Sequence, residues 1–78
     1  MIAMIDLKTK MIEYFEQECE WASQGMIRKH NSTWEVVQNA KMRLYGVAIF
    51  CQTLGIEENY VEEHYNFYVE KLEKLLTN

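Results

Sequence analysis

The sequence predicts an all-α fold: an antiparallel bundle of three helices over about residues 3–29, 33–54 and 58–76, forming one helical domain over 1–78. Three observations predict it. The 78 residues hold no proline and only three glycines, so little interrupts long elements. Apolar side chains recur at three- and four-residue steps, the period of one helical face. Two short stretches, "HNSTWE" and "TLGIEE", carry the residue types that end one helix and begin another.

In the first helix, Ile5, Ile12, Phe15, Cys19, Ala22 and Met26 mark the central stripe. Met4, Leu7, Met11, Tyr14 and Trp21 widen it to nearly half the circumference, and Glu13, Glu16, Gln17, Glu20 and Gln24 take the opposite side. A face this wide serves two neighbours, whereas a narrow seam serves one. Asn31 suits the left-handed residue that ends a helix, and His30 the last-turn position beside free carbonyls. Gly25 is a weaker candidate for an earlier break. Ser32 then reads as an N-cap, with Glu35 three residues on in the capping-box position.

The second helix places Val37, Ala40, Leu44, Val47, Cys51 and Leu54 on one seam without a miss. Its opposite face is apolar too, because Met42, Tyr45 and Ile49 lie there, with Val36 and Phe50 on one shoulder and Ala48 on the other. No charged residue occurs from Leu44 to Ile56. Gly46, within that run, either lets another backbone approach closely or is incidental to the packing. Leu54-Gly55-Ile56 predicts a Schellman ending, with Gly55 left-handed and Ile56 folding back on the last turn.

The third helix has its seam at Val61, Tyr65, Tyr68, Leu72 and Leu75, with Tyr60 and Phe67 pointing away from it. Glu57 and Glu58 open the helix and Lys71 and Lys74 lie near its end, which matches the helix dipole at both ends. Two companion helices shelter one broad side of the second helix and leave Met42, Tyr45 and Ile49 in water. Exposed apolar patches of that extent mark interfaces. The expected association is a two-fold homodimer through the outer face of the second helix, with Leu7, Tyr14 and Trp21 of the first contributing.

Composition narrows the functional classes. A net charge of −4 disfavours nonspecific binding to nucleic acid or to anionic membranes, both of which need clustered cations. The uncharged run of 13 residues is too short for a bilayer core of about 30 Å. The opening "MIAMIDLKTK" becomes charged after five positions, unlike a secretory leader, so a cytoplasmic protein without a membrane span is expected. Cys19 and Cys51 belong to no CxxC pair and fall on core positions, where a thiol acts as a small apolar side chain.

No catalytic, metal or cofactor site is expected. Glu13, Glu16 and Glu20 share a helical spacing but lie on the polar side, and neither His30 nor His64 has a glutamate three residues earlier, as a di-iron bundle requires. His64 reads as a boundary residue beside the third seam, without the surroundings of a phosphoacceptor. There is no glycine-rich phosphate loop and no recognisable nucleophile–base pairing. Arg28, Lys29 and His30, with Lys41 and Arg43, are the basic residues that a DNA-binding module would use. A recognition helix is polar and exposed, whereas the second helix is apolar and the third is acidic, so nucleic-acid binding is disfavoured.

The expected role is therefore protein–protein interaction by a small acidic, non-enzymatic helical protein of regulatory, accessory or inhibitor type. Glu58, Glu62, Glu63, Phe67 and Glu70 form a candidate face for a partner with a basic surface. The alternative is a monomeric adaptor whose apolar second-helix face docks a different protein. In size, acidity and content of lysine, glutamate, asparagine and isoleucine the chain resembles accessory proteins of low-GC bacteria and their phages, and no motif in it identifies a family.

Overall fold

The computed structural model describes residues 4–24 and 32–77, with side chains from Asp6 onward. Among these residues there are three α-helices and no strand: α1 (Met4–Ser23), α2 (Thr33–Thr53) and α3 (Glu58–Glu73), the last running into a 3-10 turn over Lys74–Thr77. The predicted extension of the first helix to Lys29, the break at Gly25 and the roles of Met26, His30 and Asn31 lie outside the described residues.

Local chemistry sets the ends of α2 as its sequence predicts. Ser32 is extended (φ −80°, ψ 162°), its Oγ accepts from the Glu35 amide at 3.1 Å, and its carbonyl accepts from Val36 at 3.1 Å. That gives one of the unpaired first-turn donors a partner. At the other end Gly55 has φ 112°, its amide donates to the Gln52 carbonyl and the Ile56 amide donates to the Cys51 carbonyl. This pair of bonds is the Schellman arrangement, and it carries Ile56 into the core. A side chain at a left-handed position costs about 1–2 kcal/mol, so Gly55→Ala should lower the urea midpoint by that much stability with little change in slope.

The core is one cluster shared by all three helices: Met11, Phe15, Cys19 and Ala22 from α1, Val37, Ala40, Leu44, Ala48 and Cys51 from α2, Ile56, and Val61, Tyr68 and Leu72 from α3. Cross-helix contacts locate the partners of each face. Phe15 packs on Tyr68 with ring centroids 5.7 Å apart, and the Cys19 thiol donates to the Tyr68 carbonyl at 3.6 Å. Lys41, just before the middle of α2, bonds Glu73 at the end of α3, while Tyr45 meets Tyr65 edge-on at 6.1 Å. Lys8 of α1 reaches Glu57 and lies 4.5 Å above the Tyr60 ring.

Several residues sit differently from their predicted places. Met11 is fully buried and Ile12 only half-buried, because α1 turns the middle of its face, at Phe15, between α2 and α3. Leu54, expected in the α2 seam, is exposed. It is the C-cap, where the chain turns away, and Ile56 fills the core instead. Ala48 is buried and Val47 half-buried, which rotates the buried side of α2 toward α3. Tyr60, expected to face away from the core, packs against it under Lys8 and beside His64.

The body measures 42 × 21 × 15 Å. Helix axes pack about 8–10 Å apart, so a thin direction of 15 Å has room for two layers of helix.

Candidate protein-interaction surface

The outer side of α2 is a continuous apolar surface. Met42 is 70% exposed, Tyr45 58%, Ile49 44% and Phe50 60%. Helical spacing places Gly46 among them, and a Cβ built there meets no atom within 4 Å. Trp34 and Leu54 extend the exposure toward the two ends of the helix. Leu7, Tyr14 and Trp21 are not equally available. Leu7 and Tyr14 are half-buried against the core, and Trp21 is the exposed member of the three.

Between α2 and α3 the surface dips into a groove of about 310 Å³. Ala48 and Val61, both buried, form its floor because their side chains are short. Tyr45, Ile49 and Tyr65 wall it, and Glu58 and Glu62 stand one helical turn apart along its rim.

The acidic residues of α3 are all exposed but do not share one face. Glu58 and Glu62 line the groove beside α2. Glu63 and Phe67 border a separate dent with His64 and Tyr68, and Glu70 borders another with Glu73, Lys74 and Thr77. The 100° step per residue turns Glu63 away from Glu58 and Glu62, whereas Glu63 and Glu70, seven residues apart, lie on one side of α3 two turns apart along its axis.

One charged residue escaped the sequence reading. Glu18 is only 3% exposed, on the α1 side that meets α2, and its Oε1 accepts from Arg43 Nε at 2.9 Å. A buried carboxylate is tolerated when it is paired and hydrogen-bonded. Among the described residues no buried side-chain nitrogen or oxygen lacks a partner. Burial raises the Tyr14 pKa, and the neighbouring Glu18 carboxylate adds to that by charge and hydrogen bond, while Arg43 opposes it. The signal in the sequence was Glu18 standing seven residues after Met11 in an apolar row, with Arg43 the matching cation on an apolar helix.

The remaining polar groups are structural in their contacts. His64 Nδ1 lies 2.9 Å from the Tyr60 carbonyl, which only accepts, so Nδ1 carries the hydrogen. Both cysteines are free and buried. Burial, opposed by Lys71 and aided by the Glu18 and Glu16 carboxylates, pushes the Cys19 thiol from 9.0 up to about 11, and burial with the charge and hydrogen bond of Glu16 pushes the Tyr68 hydroxyl from 10.0 up to about 12. Both groups hold their protons more tightly folded than unfolded. Their stabilisation is complete below about pH 9 and is lost as pH climbs through 11 and 12. Urea midpoints should therefore fall steeply between pH 9 and 12, and Cys19→Ser should blunt the lower part of that fall.

Among the described residues no cluster of three or more His, Cys, Asp or Glu side chains is placed to hold a metal ion, and no helix is long and apolar enough to cross a membrane. Comparison with known proteins finds no matching family model, no matching curated protein and no matching solved structure.

Proposed function

We propose that this chain is a non-enzymatic interaction protein: an antiparallel three-helix bundle that pairs with a second copy through the outer face of α2. The observation that carries the reading is the apolar surface around Gly46, where Met42, Tyr45, Ile49 and Phe50 are each about half exposed or more. A chain of 78 residues has a small core, and one core of this size gives roughly 3–5 kcal/mol. Covering the α2 face with a second subunit adds apolar burial that the single chain cannot supply. The antiparallel course is supported by Lys41 meeting Glu73 while Ala48 and Ile49 share a groove with Glu58 and Val61.

In this reading the pair is the functional unit, and Glu63, Phe67 and Glu70 remain on its outside as a surface for a partner protein with basic side chains. Two or more carboxylates around an exposed aromatic ring attract lysine or arginine by charge and by cation–π contact. Light scattering over a dilution series tests the association. The expected mass approaches twice the 9.4 kDa chain at high concentration and falls toward 9.4 kDa on dilution. A mass of one chain at every concentration contradicts the dimer and leaves the adaptor with a different partner.

A further inference from the structure

Resting on the reading that a partner protein with basic side chains binds this chain, and not on the dimer, we infer that the α2–α3 groove receives one arginine side chain of that partner. The arginine stem lies on the Ala48–Val61 floor and the guanidinium sits between Glu58 and Glu62. At 100° per residue, Tyr45 and Gln52 stand about 100–120° round α2 from Gly46, both toward α3. The groove therefore opens on the flank of α2, beside the ridge of Met42, Gly46 and Phe50, with Tyr45 and Ile49 as the shared edge.

Charge selects a cation. Glu58 and Glu62 take part in none of the four ion pairs among the described residues, and no basic side chain lines the groove. Glu18, Glu57 and Glu73 each have a lysine or arginine of their own chain. Like charges four residues apart on a helix repel, and here the chain leaves that repulsion uncompensated. A cation from outside removes it. Gln52 and Asn66, also in the lining, add amide oxygens as further acceptors.

The apolar part of the lining selects which cation. Two carboxylates over a floor of buried aliphatic side chains do not make a metal shell, and among the described residues no cluster of three or more metal-ligating side chains is placed for one. The matching occupant carries an apolar stem below a charged head, as arginine and lysine do. A volume of about 310 Å³ is at the small end for ligand sites and suits one long side chain. Arginine fits better than lysine. Its planar fork bonds two carboxylates at once and lies flat on an aromatic ring, and the groove offers Glu58 and Glu62 one turn apart beside the more than half exposed Tyr45.

Peptide titration tests the site. The probes are the capped tripeptide Gly-Arg-Gly and its lysine and citrulline counterparts, added at low salt to the isotope-labelled full chain. Citrulline keeps the shape of arginine and removes its charge. The arginine peptide should give saturable shifts at the backbone amides of Ile49, Gln52, Glu62 and Asn66, and should bind about tenfold more tightly than the citrulline peptide. Glu62→Gln, a change at an exposed position, should weaken that binding about tenfold, and Glu63→Gln, outside the groove, by less than about twofold. Equal binding of the arginine and citrulline peptides, or equal losses from the two variants, overturns the site. Lysine binding as tightly as arginine overturns the choice of arginine. Saturable shifts confined to Glu63, Phe67 and Glu70 overturn the groove and keep the basic-partner reading. No saturable shift from any tripeptide overturns the groove alone, and if nona-arginine also moves no amide, the basic-partner reading fails with it.

Discussion

Phe15→Ala should leave the chain largely unfolded at 25 °C. The ring is completely buried and packs on Tyr68 at the point where α1 meets the other two helices. Truncating a buried phenylalanine costs about 3–5 kcal/mol, from lost transfer energy and from the cavity left behind. That is the whole of what a core in a domain this small provides. Circular dichroism should show most helical signal lost, whereas Trp34→Ala, at a strongly exposed position, should melt within a few degrees of the wild type. A cooperative, near-native melt for Phe15→Ala would show that the core is centred elsewhere.

The second large effect separates association from folding. Tyr45→Glu together with Ile49→Glu should weaken the dimer by two orders of magnitude or more, because two apolar side chains are lost from the interface and two charges are placed in it. Helical content should stay close to that of the wild type. Both positions face water in the single chain, so the new carboxylates remain solvated once the subunits part. The cost within one chain is the edge contact of Tyr45 with Tyr65, about 1 kcal/mol. Unfolding in place of dissociation would assign Tyr45 and Ile49 to the intramolecular core.

Much of the fold was legible because its signals are local. Ser32 with Glu35, and Leu54-Gly55-Ile56, state in a few residues where α2 begins and ends, and the backbone bonds confirm both. Periodicity likewise separated Phe15, Cys19, Val37, Leu44, Val61 and Leu72 from the polar side. What periodicity does not encode is how a wide face is divided between two neighbours. That division decides that Met11 is covered more fully than Ile12, and Ala48 more fully than Val47. It also decides that a carboxylate, Glu18, can lie inside.

The candidate surfaces divide in the same way. Exposure of Met42, Tyr45 and Ile49 follows from counting the faces of α2 against the helices able to cover them. Leu7 and Tyr14 look alike in the sequence but lie against the core, since α1 has two neighbours to cover its broad stripe. The acidic residues of α3 read as one face in the chain because they are close in sequence. In space Glu58 and Glu62 turn toward α2, and Glu63 and Phe67 turn elsewhere.

The central claim is that a second copy covers the outer side of α2. Mixed samples of isotope-labelled and unlabelled chain test it most directly, through nuclear Overhauser contacts filtered to report only between subunits. The account predicts cross-subunit contacts from the Met42 and Ile49 methyl groups at millimolar protein. Filtered spectra with no contact at those methyls, in a sample whose light scattering reports dimer, would place the interface on another face and contradict the account.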